Sequence, residues 1–189
     1  MDPIQNNFSK FPQLETQRLI LRQLEETDAP EMFELRSHPE VMKYIDRPRP
    51  RTVLEADLHI QLILEKQKKG EGINWAIVPK GHVKMVGTIG LFGIEPENFR
   101  AEIGYTLMPE FHRKGLMSEA LPMVCDFGFK NMCLHTIFAT VHHENSASIK
   151  ILEKTGFEKE GHFKASIFHR GSFRDLLFYT LFEDQYLKK

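Results

Sequence analysis

The stretch from Ala101 to Leu121 reads "AEIGYTLMPEFHRKGLMSEAL", and the fold turns on how it is divided. Its first part alternates. Ala101, Ile103, Tyr105 and Leu107 share one face, and Arg100, Glu102, Gly104 and Thr106 the other, which predicts a β-strand over Phe99–Met108. Gly104 inside that strand predicts a bulge or a close approach by another group. The second part changes period: Leu116, Ala120, Val124 and Phe127 recur at near-helical spacing. His112, Arg113, Lys114 and Gly115 stand at the junction. A helix N-terminus carries partial positive charge and unpaired N–H groups, so basic residues there run against the dipole. Two readings fit. In one, a multiply charged anion such as a pyrophosphate sits on the amides of the helix start, and Gly115 admits it to the backbone. In the other, the basic side chains point into water and Gly115 only turns the chain.

Outward from that junction, strand and helix patterns alternate without repeats or low-complexity linkers, which predicts one domain over residues 1–189 of α/β or mixed α+β class. Arg18–Arg22 is a short strand, and Thr27 or Asp28 caps a helix with Pro30 in its first turn. "RPRPR" (Arg47–Arg51) is a loop, and Leu54, Leu58 and Leu62 mark a helix over Thr52–Lys69 that Gly70 ends. Strands follow at Ile73–Val78 and in "KMVGTIGLFGI"; Trp75 reads as core. After the central helix come a strand at His135–Val141 and a helix capped by Asn145 and ended by Gly156. Two strands, near Glu160–His169 and Ser172–Leu181, join at Arg170-Gly171. Pro122 removes one hydrogen bond of the central helix and predicts a kink.

Composition narrows the function classes. The 189 residues are 41% hydrophobic and 27% charged, proportions of a globular domain with a core. Lys and Arg number 25 against 26 Asp and Glu, a net charge of −1 that gives no general surface for nucleic acid or membrane. No apolar run approaches the ~18 residues of a membrane span. The opening "MDPIQNNFSK" is not a signal peptide, and Cys125 and Cys133 form no C-x-x-C pair, so a cytoplasmic protein with reduced thiols is expected. Gly87, Gly90 and Gly93 are three apart within a strand and make neither G-x-G-x-x-G nor a P-loop. His142-His143-Glu144 has no metal-ligand spacing, so no metal is expected.

The order "AEIGYTLMPEF", "HRKGLMSEAL", "HTIFATV", "HENSASIKILEKTGF" resembles the GNAT superfamily of acetyl-CoA-dependent N-acetyltransferases. The start "LETQRLILRQLEETDAPEMFEL" and the close "GHFKASIFHRGSFRDLLFYTL" resemble its ribosomal-protein-alanine N-acetyltransferase branch, and the likeness covers about Leu14 to Leu181. The resemblance implies a seven-stranded mixed, mostly antiparallel sheet flanked by about four helices, with its fourth and fifth strands splayed. It implies acetyl-CoA as cosubstrate and a primary-amine acceptor, either a protein N-terminus, such as that of a ribosomal protein, or a small molecule. The acetyl group would pass directly in a ternary complex of a monomer or homodimer. The pantetheine arm would pair with backbone near Thr106, Leu107 and Met108 and touch Asn145. The pyrophosphate would meet His112, Arg113, Lys114, Gly115, Leu116, Met117 and Ser118.

Glu102, mid-strand, would take the proton that the attacking amine must lose, and burial would strengthen it as a base. The alternative is that Glu102 pairs with an arginine on a neighbouring strand. The family's tyrosine acid is missing, since its position holds Leu152; Ser148 stands in the place to serve instead. Two further departures are His112, where Gln or Arg is usual, and Met117, where Gly or Ala is usual and where a long side chain would crowd the phosphates. They keep a second class open, a non-catalytic acyl-CoA sensor or partner protein. A nucleotide-phosphate-binding protein that uses the same basic turn is a third.

Overall fold

The computed structural model describes residue 6 and residues 10–169 and 171–188; Arg170, where a turn is expected, and most of the opening stretch lie outside them. Among the described residues the strands are β1 (Leu14–Glu15), β2 (Leu19–Gln23), β3 (Gly72–Pro79), β4 (Gly87–Glu95), β5 (Arg100–Leu107), β6 (Thr136–His142), β7 (Glu158–His169) and β8 (Ser172–Phe182). They form one sheet in the order β1-β2-β3-β4-β5-β6-β8-β7. The pairs are antiparallel except β5–β6, which is parallel. Eight strands replace the expected seven because Leu14 and Glu15 pair with Leu21 and Ile20. Two residues carry no readable period, so no pattern search finds such a strand.

The helices are α1 (Ala29–Ser37), α2 (Val53–Lys68), α3 (Leu116–Lys130), α4 (Ser146–Thr155) and the single-turn α5 (Glu183–Tyr186). α1 and α2 cover one face of the sheet, where Met32, Leu35, Ala56 and Ile60 pack with Ala76, Val78 and Met108. α3 and α4 cover the other, where Leu121, Val124 and Leu152 pack with Trp75, Ile103, Ile137 and Tyr179. Trp75 is fully buried, and its indole N–H donates to Pro12 O at 2.7 Å. α3 continues through Pro122 rather than ending at it. The apolar stripe that marks α2 does not face the core: Leu54, Leu58 and Leu62 are exposed, and the buried side is formed by Ala56 and Ile60.

Asp28 precedes α1 but makes no side-chain cap bond to it. Its carboxylate instead takes both arms of Arg22 from β2, at 2.7 Å each, and the Glu25 N–H at 2.9 Å. Asp28 is only 4% exposed, so this bidentate pair fastens α1 to the sheet from inside. Asp28→Ala removes both carboxylate bonds of the half-buried Arg22 guanidinium and leaves it only the Gln23 carbonyl, and a stability loss of about 3 kcal/mol is expected in urea unfolding. A loss below about 1 kcal/mol, the range of exposed pairs, would show that water replaces the carboxylate freely.

Candidate functional site

The parallel β5–β6 ladder is short. It joins Arg100 to Thr136, Ala101 to Ile137 and Glu102 to Phe138, and then ends. β5 continues to Leu107 alongside β4, while β6 continues to His142 alongside β8. The two strands part beyond Glu102, as expected for the pair splayed in the resemblance. In an antiparallel ladder successive residues turn their backbone groups to opposite edges. Met108 N–H donates to Val86 O at 2.8 Å, so the even-numbered residues of β5 bond to β4. The carbonyl of Ile103 and the backbone groups of Tyr105 and Leu107 therefore face the gap. Leu107 and not Thr106 or Met108 supplies the strand edge there, and its carbonyl accepts from His112 Nε2 at 2.8 Å. Thr106 instead bonds through its hydroxyl to Thr88 Oγ1 at 2.9 Å.

Each face of the sheet presents a different group at the gap. Glu102 lies on the α1/α2 side, half-buried rather than buried, and accepts a hydrogen bond from Thr140 Oγ1 at 2.6 Å. Its partner is a hydroxyl and not an arginine. Arg100 on the same face pairs with Glu95 and lies 4.4 Å from the ring centroid of Phe138, which stacks on Phe178 at 5.1 Å. Gly104 lets Phe92 close over this face: an added Cβ would lie 2.7 Å from the Phe92 ring. Gly104 pairs with Gly90 in regular register, and the irregularity falls in β4 between Phe92 and Glu95.

Ser148 lies on the α3/α4 side. Its hydroxyl is 2.8 Å from that of Tyr105. Burial pushes the Tyr105 phenol up to about 12, opposed by the Ser148 hydrogen bond, so Tyr105 stays neutral at physiological pH. Asn145 caps α4 by accepting from Ser148 N–H at 3.3 Å, which leaves its side-chain NH2 as a donor. Glu102 and Ser148 thus do not touch; the gap in the sheet lies between them.

The basic junction lies at the open end of the gap. Arg113 and Gly115 both have positive φ, 59° and 75°, and Gly115 is the N-cap of α3. Alternating backbone hand of this kind turns successive N–H groups toward a common point, an anion-binding concavity that the helix start extends. Arg113, Lys114 and Gly115 are exposed, and Lys114 lies over the Phe111 ring. Leu116 and Met117 are buried in the core, so the Met117 side chain turns away and does not crowd the concavity. Ser118 is half-buried beside it. His112 does not point into the concavity; its ring ties the loop back to β5.

A brace behind this loop, centred on Glu119 in the first turn of α3, has no counterpart in the sequence reading. Glu119 accepts from the Thr16 hydroxyl, from Arg18 N–H at 2.8 Å and from Arg18 Nε at 2.7 Å. Arg18 also donates to Lys114 O at 2.9 Å. Arg18, Lys80, His82, Phe111 and Lys114 line a hollow of about 420 Å³ beside the loop. Tyr105, Thr140 and Arg18 were also missed as site residues, because a contact between distant elements leaves no local signal. The expected strand stops at Val141, one residue short of His142. His142 ends β6, is buried, and its ring lies 5.1 Å from that of Tyr44. Among the described residues no group of three or more His, Cys, Asp or Glu side chains could hold a metal ion. No described helix is long and apolar enough to cross a membrane.

Residues 18–158 match the model of the acetyltransferase (GNAT) domain. The chain is 36% identical over 171 residues to the uncharacterized N-acetyltransferase YoaA of Bacillus subtilis (strain 168), covering 90% of this chain and 97% of that protein. It is 29% identical over 168 residues to the spermidine N(1)-acetyltransferase of Escherichia coli (strain K12), covering 88% and 87%. Among solved structures, RimL, a ribosomal L7/L12 alpha-N-protein acetyltransferase in complex with coenzyme A, superposes with a TM-score of 0.85. That match is 22% identical and covers 92% of this chain and 99% of that one, a likeness of fold.

The brace sets a pH dependence. Burial pushes Glu119 up, but the hydrogen bonds from Thr16 and Arg18 outweigh it and hold the carboxyl below its ordinary 4.5. A depressed carboxyl stabilises the fold above its unfolded value and loses that contribution as pH falls through its folded value. The protection of the amides of residues 113–119 against exchange, taken relative to their intrinsic rates at each pH, is expected to hold in the wild type down to about pH 4.5 and to fall below it. In Glu119→Gln it is expected to be low throughout. Equal exchange in the two proteins at neutral pH would remove the brace from the account.

Proposed function

Since the chain belongs to the GNAT acetyltransferase family, we propose that it transfers the acetyl group of acetyl-CoA directly to a primary amine in a ternary complex. The observation that carries this is the gap between β5 and β6, with Glu102 on one face and the Tyr105–Ser148 pair on the other. A thioester threaded through the gap from the α3/α4 side presents its carbonyl to an amine approaching from the α1/α2 side. The pyrophosphate takes the amides from Arg113 to Ser118, and the pantetheine arm meets the backbone of Tyr105 and Leu107 and the Asn145 side chain.

Glu102 takes the proton lost by the amine as the N–C bond forms, directly or through water. The C–S bond then breaks and the electron pair leaves on sulfur. Tyr105 and Ser148 lie on the sulfur's side and hydrogen-bond the departing thiolate. Positioning and exclusion of water by the closed ternary complex supply much of the rate. The acceptor is the amine of a protein N-terminus or a small molecule. It approaches over the face bounded by Tyr44, His142 and the Glu144–Arg174 ion pair.

Incubation with acetyl-CoA and a mixed library of amines and peptides, read by mass spectrometry, is expected to give N-acetylated product. Glu102→Gln is expected to lower kcat by about 10²- to 10³-fold while coenzyme A affinity stays within about twofold of wild type. Coenzyme A binding with no product from any amine would replace the enzyme with an acyl-CoA sensor. A larger rise in melting temperature with ATP than with acetyl-CoA would favour a nucleotide-binding protein.

A further inference from the structure

A row of aromatic rings crosses the α1/α2 face of the sheet, and Glu102 stands within it. Phe92 of β4 is directly opposite Glu102 on one side, and Phe138 of β6 is directly opposite it on the other. Such neighbours lie about 5 Å apart at Cβ. Thr140, whose hydroxyl donates to Glu102, faces Phe178 of β8, and Phe178 in turn faces Gly161 of β7. Glycine stands at two places where a side chain would push a ring away. An added Cβ at Gly104 would lie 2.7 Å from the Phe92 ring, and one at Gly161 would lie 3.0 Å from the Phe163 ring. Phe92 and Phe163 are 37% and 54% exposed, so the row is open to a ligand at both ends. α1 and α2 pack over β3 on this face, beside the row rather than on it.

The charges along the row match one ammonium and no more. Arg100 pairs with Glu95 at 3.4 Å and lies against the Phe138 ring, and Arg174 pairs with Glu144 at 3.3 Å. Glu160 is bonded to Thr180, which lies level with Phe138 and away from the gap. Beside the gap, Glu102 has a hydroxyl partner and no cation among the described residues. We propose that the row is the acceptor subsite, and that it selects an amine with one positive charge and an apolar group within about three bonds of the nitrogen. The subsite rests on the acetyl transfer already proposed. The ammonium lies at Glu102, and the apolar group is buried against Phe92 or Phe178. A second ammonium on the acceptor would lie against Arg100, and like charges so placed are costly. A polyamine is therefore a poor match. A peptide with a hydrophobic first residue and a free arylalkyl amine share the matching chemistry.

The test is the rate of acetylation of phenylalaninamide, serinamide, lysinamide and spermidine by the full chain. Phenethylamine and two peptides that differ only in a first residue of Phe or Ser separate the small-molecule and peptide sources. The kcat/KM for phenylalaninamide is expected to exceed that for each of the other three by about tenfold or more. Phe92→Ala is expected to bring its ratio to serinamide down to about twofold, mainly through KM, and Phe178→Leu to lower it in part. Retained coenzyme A affinity shows that the variants are folded. Saturation-transfer NMR of phenethylamine with the coenzyme A-loaded protein reads the subsite without turnover. Product with an equal or greater rate for serinamide, lysinamide or spermidine overturns the apolar subsite and leaves acetyl transfer standing. So does a ratio that Phe92→Ala does not change. Phenethylamine binding that Phe92→Ala abolishes, with no product from any amine, keeps the subsite and removes the transfer. Neither binding nor product overturns both.

Discussion

The early end of the β5–β6 ladder governs the rest of the site. A parallel pair normally runs the length of its strands. Here each strand is held along most of its length by its other neighbour, β5 by β4 and β6 by β8. The helix α3 leaves from the far end of β5, and α4 leaves from the far end of β6. The strands therefore diverge with their helices, and beyond the Ile103 N–H, which the last rung of the ladder still engages, the odd-numbered backbone groups up to Leu107 lose a strand partner. Unpaired backbone groups are costly unless water or a ligand reaches them. The His112 ring satisfies one, at Leu107. The others form an open strand edge, a surface for an extended, amide-bearing chain.

The same divergence explains why the site is braced at two levels. Thr140 to Glu102 is a bond from β6 to β5 across the start of the gap. Tyr105 to Ser148 ties β5 to the first turn of α4. At the open end the loop before α3 brings Arg113 and Lys114 close to a helix N-terminus of the same sign. Glu119, in the first turn of that helix, offsets part of the repulsion and anchors it through Arg18 to β2. The loop is thus fixed from behind while its exposed side stays positive. A positive, pre-formed concavity attracts a polyanion and loses little entropy in holding it.

What could be read in the sequence was local or periodic. The alternation of Ala101, Ile103, Tyr105 and Leu107 assigned the central strand and the face that packs on α3. Asn145 and Gly156 bounded α4 because capping depends on neighbours in the chain. Order and spacing of these pieces gave the family. Contacts between elements distant in the chain were not legible. Arg18 and Glu119 are 101 residues apart, and Glu102 and Thr140 are 38 apart. Neither pair has a spacing that a helix or strand period would reveal. Asp28 was misread for a related reason: an acidic residue ahead of a helix looks like a cap whether or not Arg22 claims its carboxylate. The leucines of α2 show the opposite limit. Their period correctly gave a helix but said nothing about which side faces the sheet, where Ala56 and Ile60 fill the space against β3.

In the proposed acetyl transfer, the position of Leu152 bears on how the sulfur would leave. Leu152 is fully buried in the core, so the helix offers no hydroxyl at that place. Tyr105 brings one from the strand instead and meets Ser148 at the gap. With its phenol near 12, Tyr105 is a poor proton donor to a thiolate of ordinary acidity, near 8.5. Full transfer would be uphill by roughly 5 kcal/mol. A neutral hydroxyl pair is nonetheless well suited to donate hydrogen bonds to sulfur as negative charge develops, in a site where burial strengthens such bonds. On this reading the two hydroxyls lower the barrier by stabilising charge and keep their protons. The thiolate would then be protonated from solvent after release, and the chemistry that consumes a titrating group would be confined to Glu102 on the opposite face.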